Sequence, residues 1–349
     1  MLPRVSIVIR SIARPVLADA LASVGAQDYP RLESVVVGAS GPTHPAPPES
    51  VGGHPVRFVA SDAALSRPEA ANRGLDAAGG DWITFLDDDD VLSPTHISGL
   101  MDATRNAGGA MLVYTLARVR LCDGYTQTLG QPFATLQLYE RNFIHLSMSL
   151  FSRDLLALGC RFDETLHILQ DWDFFLQCAQ HTRFHFEPRE TFEWRADAGT
   201  SGAGAGANQD DARFAQYRDR IYAKWSAHHE ALADRVTADL RDASTRAHRG
   251  DVAGAKDACR HVLTYSQNDP FALNLLAMLQ RSAGDYATAR STQELACSVR
   301  PRDPSLVYNL ALVCRLQGDP DAARRHCRQA LRVDPAFAPA RGLLAELGN

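Results

Sequence analysis

Lysine is almost missing from this chain: of its 36 basic residues, only Lys224 and Lys256 are lysines. Excess positive charge is missing too. A net charge of −5 excludes a strongly basic nucleic-acid binder. No apolar run approaches the ~18 residues of a membrane span. The apolar stretch within Met1–Arg10 covers about five residues, too short for the core of a signal peptide. Cysteine is sparse, and its seven residues are odd in number, scattered and without a CxxC pair. That pattern indicates neither a disulfide framework nor a zinc site, and it predicts a reducing, cytoplasmic location. What remains is a chain of 349 residues, 45% hydrophobic and 22% charged. This is the balance of a soluble globular protein, long enough for two domains of about 100–200 residues each.

The first half alternates between two periodicities. Val5-Ser6-Ile7-Val8-Ile9, Val35-Val36-Val37, Val56-Arg57-Phe58-Val59 and Trp82-Ile83-Thr84-Phe85-Leu86 read as short buried strands. Between them, Pro15–Leu21 and Pro68–Ala78 carry helical spacing, the second stopping at Gly79-Gly80. Strands alternating with helices predict an α/β fold, with a mostly parallel sheet covered on both faces. Ligands of such sheets bind beyond the carboxyl ends of the strands. Residues Ala196–Gln209 are rich in Gly and Ala without periodicity and predict a flexible loop, beside which Arg195 is a candidate lid residue.

The last third repeats itself. Gly250-Asp251, Gly284-Asp285 and Gly318-Asp319 are spaced by 34 residues, as are Ala243, Ala277 and Ala311, then Ala255, Ala289 and Ala323, then Val262, Ala296 and Ala330. Small residues let paired helices approach closely, and the Gly-Asp turn reverses the chain. A 34-residue period of helix pairs resembles tetratricopeptide repeats, here at 236–269, 270–303 and 304–337 with 338–349 as a last helix. The first repeat departs most, with Asp242 at a position usually Leu and Gln267 at the proline position. The domains expected are 1–232, including a loop and connecting helix over 196–232, and an all-α solenoid over 233–349. A chain ending near residue 232 is expected to stay folded, because repeat modules pack mainly on their own neighbours.

Asp87-Asp88-Asp89-Asp90 directly follows the strand Trp82–Leu86. Adjacent carboxylates at a strand end repel one another unless a cation sits among them, and hard oxygen ligands suit Mg²⁺ or Mn²⁺ shared with a substrate phosphate. Around this run lie further motifs. Val5–Ile9 leads through Arg14-Pro15. Ala26-Gln27-Asp28-Tyr29-Pro30 and Ala70-Ala71-Asn72-Arg73-Gly74-Leu75 precede the acidic run. Phe162-Asp163-Glu164 and Gln170-Asp171-Trp172-Asp173 follow it. In this order they resemble family 2 glycosyltransferases of the GT-A fold over the first ~225 residues.

That resemblance implies a metal-dependent inverting transferase that moves a sugar from a nucleotide-sugar donor to an acceptor hydroxyl of a protein or glycan. Asp89 and Asp87 would be the metal-binding DXD pair, with Asp87 and Asp88 also reaching the donor. The four-residue run permits a shift of one position, so Asp88 and Asp90 share the metal candidacy. Asp171 would be the general base. Ser11, Arg14, Ser40, Arg67 and Asn72 are candidate nucleotide contacts, and the repeats would hold the acceptor or a partner protein. A catalytically inactive transferase-like adaptor is the competing reading. The chain departs from the family at Gly38, where an aspartate usually holds the nucleobase, at Ile12, where an aromatic often stacks, and at Gln170, where a glutamate is usual. The donor base is therefore left open among uracil, thymine and guanine.

Overall fold

The computed structural model describes residues 2–121, 124–196 and 209–348. Residues 197–208 of the Gly/Ala segment expected to form a flexible loop lie outside the described residues. The chain divides into two compact units, Met1–Gln131 with Arg141–Lys224, and Pro132–Glu140 with Trp225–Asn349.

The first unit is built on a mixed sheet. Its centre is β1 (Val5–Ser11), whose residues Val5–Ile9 are all buried. β1 pairs in parallel with β2 (Leu32–Gly38) on one side and with β5 (Trp82–Asp87) on the other. β4 (His54–Val59) extends the parallel side beyond β2 and carries the short β3 (Ser50–Val51). The four strands expected from the β-branched runs all form. Beyond β5 the directions mix. β9 (Ser149–Ser152) lies antiparallel between β5 and β7 (Leu112–Arg120), and β7 pairs in parallel with β10 (Phe184–Arg195). β6 (Val91–Leu92) adds to β10, and β8 (Thr126–Leu129) to β7, both antiparallel. The chain leaves β1 for β2 and β4, then returns to the opposite side for β5. The sheet's switch point therefore falls between β1 and β5, with a crevice beyond their carboxyl ends.

Helices α1 (Leu17–Gly25), α2 (Arg67–Ala77) and α3 (His96–Asn106) flank this sheet. α2 begins where Ser66 and Glu69 form a reciprocal capping box and Pro68 sits in the first turn. Its buried stripe of Ala70, Ala71, Gly74 and Leu75 packs on β1 and β2.

In the second unit, α7 (Asp211–His248), a 38-residue helix within which the division of the chain falls, is followed by α8 (Val252–Tyr265), α9 (Pro270–Ser282), α10 (Tyr286–Val299), α11 (Pro304–Leu316), α12 (Pro320–Val333) and α13 (Ala338–Glu346). The 34-residue period has a direct physical counterpart. Every repeated Ala and Val of the three small-residue positions is at most 1% exposed. Gly250, Gly284 and Gly318 hold φ near +80°, which glycine adopts without strain. Each following aspartate caps the next helix, accepting from the backbone N–H of Gly254, Thr288 or Ala322. Among the described residues no helix is long and apolar enough to cross a membrane.

One short segment departs from the expectation of two successive modules. Residues 132–140, with α4 (Thr135–Glu140), pack with the repeats. Thr135 N–H donates to Gln267 O at 3.1 Å, and Gln267 N–H to Thr135 Oγ1 at 2.9 Å. Asn268 Nδ2 donates to Phe133 O at 2.8 Å, and Gln137 Nε2 to Val299 O at 3.2 Å. Leu136 joins the cluster of Val236, Val262 and Ala272. The unusual Gln267 at a repeat's proline position thus supplies the backbone N–H that receives this segment, a donor that proline lacks.

Candidate active site

The crevice at the switch point is lined by arginines and aspartates. β1 and β5 run in register so that Arg10 lies beside Asp87. Arg10 Nε and Nη2 both donate to Asp87 Oδ1, at 3.1 and 2.5 Å. Arg14, on the loop after β1, ion-pairs with Asp88 at 3.3 Å and also with Asp89. The loop is further tied to the acidic run by Ile12 N–H, which donates to Asp88 Oδ2 at 3.0 Å. A cavity of about 100 Å³ sits among Arg10, Ile12, Arg14, Ala39, Leu65, Arg67, Ala70, Asp87 and Asp88.

The charges perturb one another in opposite directions. Burial works to raise the Asp87 carboxyl, yet Arg10, Arg67 and His145 together hold it far below the usual carboxylate range. Burial raises Asp88 against the pull of Arg14. Asp90 is raised well above its ordinary value by burial and by the neighbouring charges of Asp87 and Asp89. Arg195 N–H donates to Asp90 Oδ1 at 2.9 Å. Burial lowers Arg67, which stays a cation in this company of carboxylates.

The candidate residues separate into two groups. Arg14, Arg67, Asp87 and Asp88 line the cavity. Ser11, Ser40 and Asn72 are outside that lining. Ser11 Oγ bonds His44 Nε2 at 2.9 Å and accepts from Ala13 N–H at 3.0 Å. The Ser40 hydroxyl oxygen is buried, and its backbone bridges Ala64. The Asn72 amide holds the backbone of Phe162 from both sides, at 2.9 and 3.0 Å, and donates to Glu164. Gly38 has a steric role: a Cβ there would stand 3.0 Å from the Phe58 ring and 3.1 Å from His44. A side chain at this position would require the Phe58 and His44 rings to give way.

For a cation, Asp87, Asp90 and His145 form the group whose ligand atoms lie within 4.8 Å of one another among the described residues. Of the expected metal-binding pair, Asp87 belongs to this group, and Asp89 is engaged by Arg14. His145 is packed against Phe192 and Trp194, with ring centroids 5.2 and 5.1 Å away, and burial lowers its pKa to about 4. It is therefore neutral at physiological pH. Two carboxylates and an imidazole make a donor set that a divalent cation can use.

Asp171 opens α6 (Gln170–Ala179), whose preceding Leu169 takes φ +58° and makes no side-chain cap. Asn142 Nδ2 donates to Asp171 Oδ2 at 3.1 Å. Burial raises the Asp171 pKa, opposed in part by the positive charge of Arg10. A carboxylate so placed is a stronger base than a solvated aspartate. Two residues on, the buried Asp173 receives Lys224 at 2.9 Å, and Lys224 also reaches Asp163 at 2.7 Å. One of the chain's two lysines thus ties the Phe162–Glu164 segment to the start of α6.

Three participants escaped the sequence reading: Arg10, Asn142 and the grouping of His145 with the acidic run. Arg10 had a usable signal, because parallel pairing of Val5–Ile9 with Trp82–Leu86 brings the next residues, Arg10 and Asp87, side by side. Asn142 and His145 lie in a stretch without periodicity.

A family model described as Glycosyl transferase family 2 matches residues 6–156, and one described as Tetratricopeptide repeat matches residues 304–347. The uncharacterized glycosyltransferase YwdF of Bacillus subtilis is 27% identical over 236 residues, covering 63% of this chain and 84% of that protein. The succinoglycan biosynthesis protein ExoO of Rhizobium meliloti is 30% identical over 173 residues, 45% of this chain and 49% of that protein. The crystal structure of S. aureus TarS 1-349 aligns with a TM-score of 0.49 at 12% identity, over 96% of this chain and 92% of that one. The chain is a glycosyltransferase, with a family 2 glycosyltransferase domain at residues 6–156 and tetratricopeptide repeats toward its carboxyl end.

Proposed function

We propose that the protein transfers a sugar from a nucleoside-diphosphate donor to an acceptor hydroxyl with inversion at the anomeric carbon. The observation that carries this reading is the meeting of an arginine-lined cavity with the acidic run at the β1/β5 switch point. Asp171, a half-buried carboxylate, is steadied nearby by Asn142.

In this reading Asp171 accepts the proton of the acceptor hydroxyl as its oxygen attacks the anomeric carbon. Asn142 fixes the carboxylate's direction, and burial keeps its basicity high. Arg14 and Arg67 hold the donor's phosphates, and Asp88 fixes the loop that carries Arg14 through its bond to Ile12 N–H. Asp87 and Asp90 are the carboxylates that would hold Mn²⁺ or Mg²⁺, with His145 beside them, while Asp89 is held by Arg14 next to them. A divalent cation bound there supplies charge neutralisation for the leaving diphosphate. The tetratricopeptide repeats would hold a protein acceptor or partner, and the work of the transferase domain would proceed in the cytoplasm.

The test is the stereochemistry and metal dependence of the product. NMR of the transferred sugar should show the anomer opposite to that of the donor, formed in Mn²⁺ and suppressed by EDTA. Retention of configuration would contradict the role of Asp171 as base in a single displacement.

A further inference from the structure

Arg10 carries an unanswered hydrogen-bond donor. Its side chain is 8% exposed, and Nη1 is buried without a hydrogen-bond partner among the described residues. The other two nitrogens are both taken by Asp87 Oδ1. The guanidinium also lies over the Phe85 ring at 5.7 Å, which restricts its plane. A buried, charged donor left without a partner costs more than one facing water. The same side chain lines the cavity at the switch point, where three guanidiniums, those of Arg10, Arg14 and Arg67, face two carboxylates, those of Asp87 and Asp88. Arg14 is answered by Asp88 and Asp89 and Arg10 by Asp87, which leaves Arg10 Nη1 as the donor without an acceptor. The missing partner is thus an acceptor small enough to enter the cavity, and an anionic oxygen answers a guanidinium best.

We propose that Arg10 is a diphosphate-binding residue of the donor site, its Nη1 donating to a phosphate oxygen of the nucleotide-sugar. The inference rests on the nucleotide-sugar reading above and adds to it a residue and a consequence. As the acceptor oxygen bonds to the anomeric carbon, the bond from that carbon to the phosphate oxygen breaks. Its electron pair leaves with the diphosphate, while the hydroxyl proton passes to Asp171. The charge that gathers on the diphosphate meets a fixed guanidinium that is already desolvated and already oriented by Asp87 and Phe85. The donor therefore has a foothold on protein cations that does not depend on a metal ion.

The experiment measures binding of UDP, dTDP and GDP, each beside its nucleoside, by calorimetry in EDTA and again in Mn²⁺. The proteins are the wild-type chain, Arg10→Gln and Arg10→Lys. In EDTA the wild-type chain should bind one diphosphate more tightly than its nucleoside. Arg10→Gln should weaken that diphosphate by about 10- to 100-fold, the worth of a charged hydrogen bond, and leave the nucleoside unchanged. Arg10→Lys, which keeps a cation beside Asp87, should fall between them, and it carries the comparison if the Gln variant does not fold. Equal diphosphate affinity in wild-type and both variants would overturn the inference, leaving Arg10 as the partner of Asp87 alone. Equal weakening of diphosphate and nucleoside would overturn it too, by assigning Arg10 to the shape of the pocket. If the wild-type chain binds no nucleotide with or without Mn²⁺, the donor reading itself fails and the inference falls with it.

Discussion

Ending the chain after Leu232 strips residues 132–140 of their partners in the repeats and leaves Tyr139 its rings Trp225 and His229. Four hydrogen bonds are lost: the pair between Thr135 and Gln267, Asn268 to Phe133 O, and Gln137 to Val299 O. At about 1 kcal/mol each, these contribute about 4 kcal/mol. Leu136 loses Val236, Val262 and Ala272, about 1–2 kcal/mol of partial burial. The ion pair of Glu140 with Arg300 is exposed enough to add little. The total, about 5–6 kcal/mol, far exceeds what a six-residue helix can supply for itself, since helices under about 12 residues are marginal in water. The segment should therefore unfold and expose Phe133, Leu138 and Tyr139, all buried in the full chain. Asn142, two residues beyond α4, should lose its grip on Asp171. Limited proteolysis with mass spectrometry should find new cleavage within 132–140, and size-exclusion chromatography should show self-association. A monomeric truncated protein, protected in this segment and hydrolysing donor at the wild-type rate, would refute the reasoning.

Other substitutions separate base, scaffold and packing. Because burial raises the Asp171 pKa, the base is lost as pH falls through a value above the ordinary aspartate range; the acid limb of kcat/KM for transfer should lie there, as steady-state rates across pH would show. Lys224→Met should leave the buried Asp173 without its cation and lower stability at neutral pH, with the difference from wild type shrinking as pH falls toward 2. Asp163, held down to about 2 by Lys224 and Thr165 despite burial, adds stability that is present above 3.8 and is lost as pH falls toward 2; urea melts at several pH values should show this part gone in the variant. Gly74→Ala would put a Cβ 2.2 Å from Val8 Cγ1, forcing α2 off β1 at a cost of about 1–3 kcal/mol by thermal unfolding.

The sequence was most legible where local pattern and burial agree. β1, β2 and β5 are buried runs and β4 a half-buried run of β-branched and aromatic residues, so their strands could be read directly. The repeats were legible because each period repeats the same packing and the same aspartate cap. The other side of the sheet was not. β10 holds Pro188 and two register shifts against β7, which blur its alternation. The place of α4 was hidden because it depends on Gln267 and Asn268, more than a hundred residues away. In the site, the acidic run declared itself by adjacency, while its partners Arg10, Arg14 and His145 come from other elements and meet it only through the sheet.

The central claim is that Asp171 removes the acceptor's proton at a site that binds nucleotide-sugar beside the acidic run. The most direct measurement is release of nucleoside diphosphate from a panel of sugar nucleotides in Mn²⁺, by wild-type and Asp171→Asn proteins, with donor affinity measured in parallel. The account predicts that at least one donor is bound alike by both proteins and is turned over about 10²- to 10⁴-fold more slowly by the Asn variant. Equal turnover by the two proteins, with the donor bound alike, would contradict it.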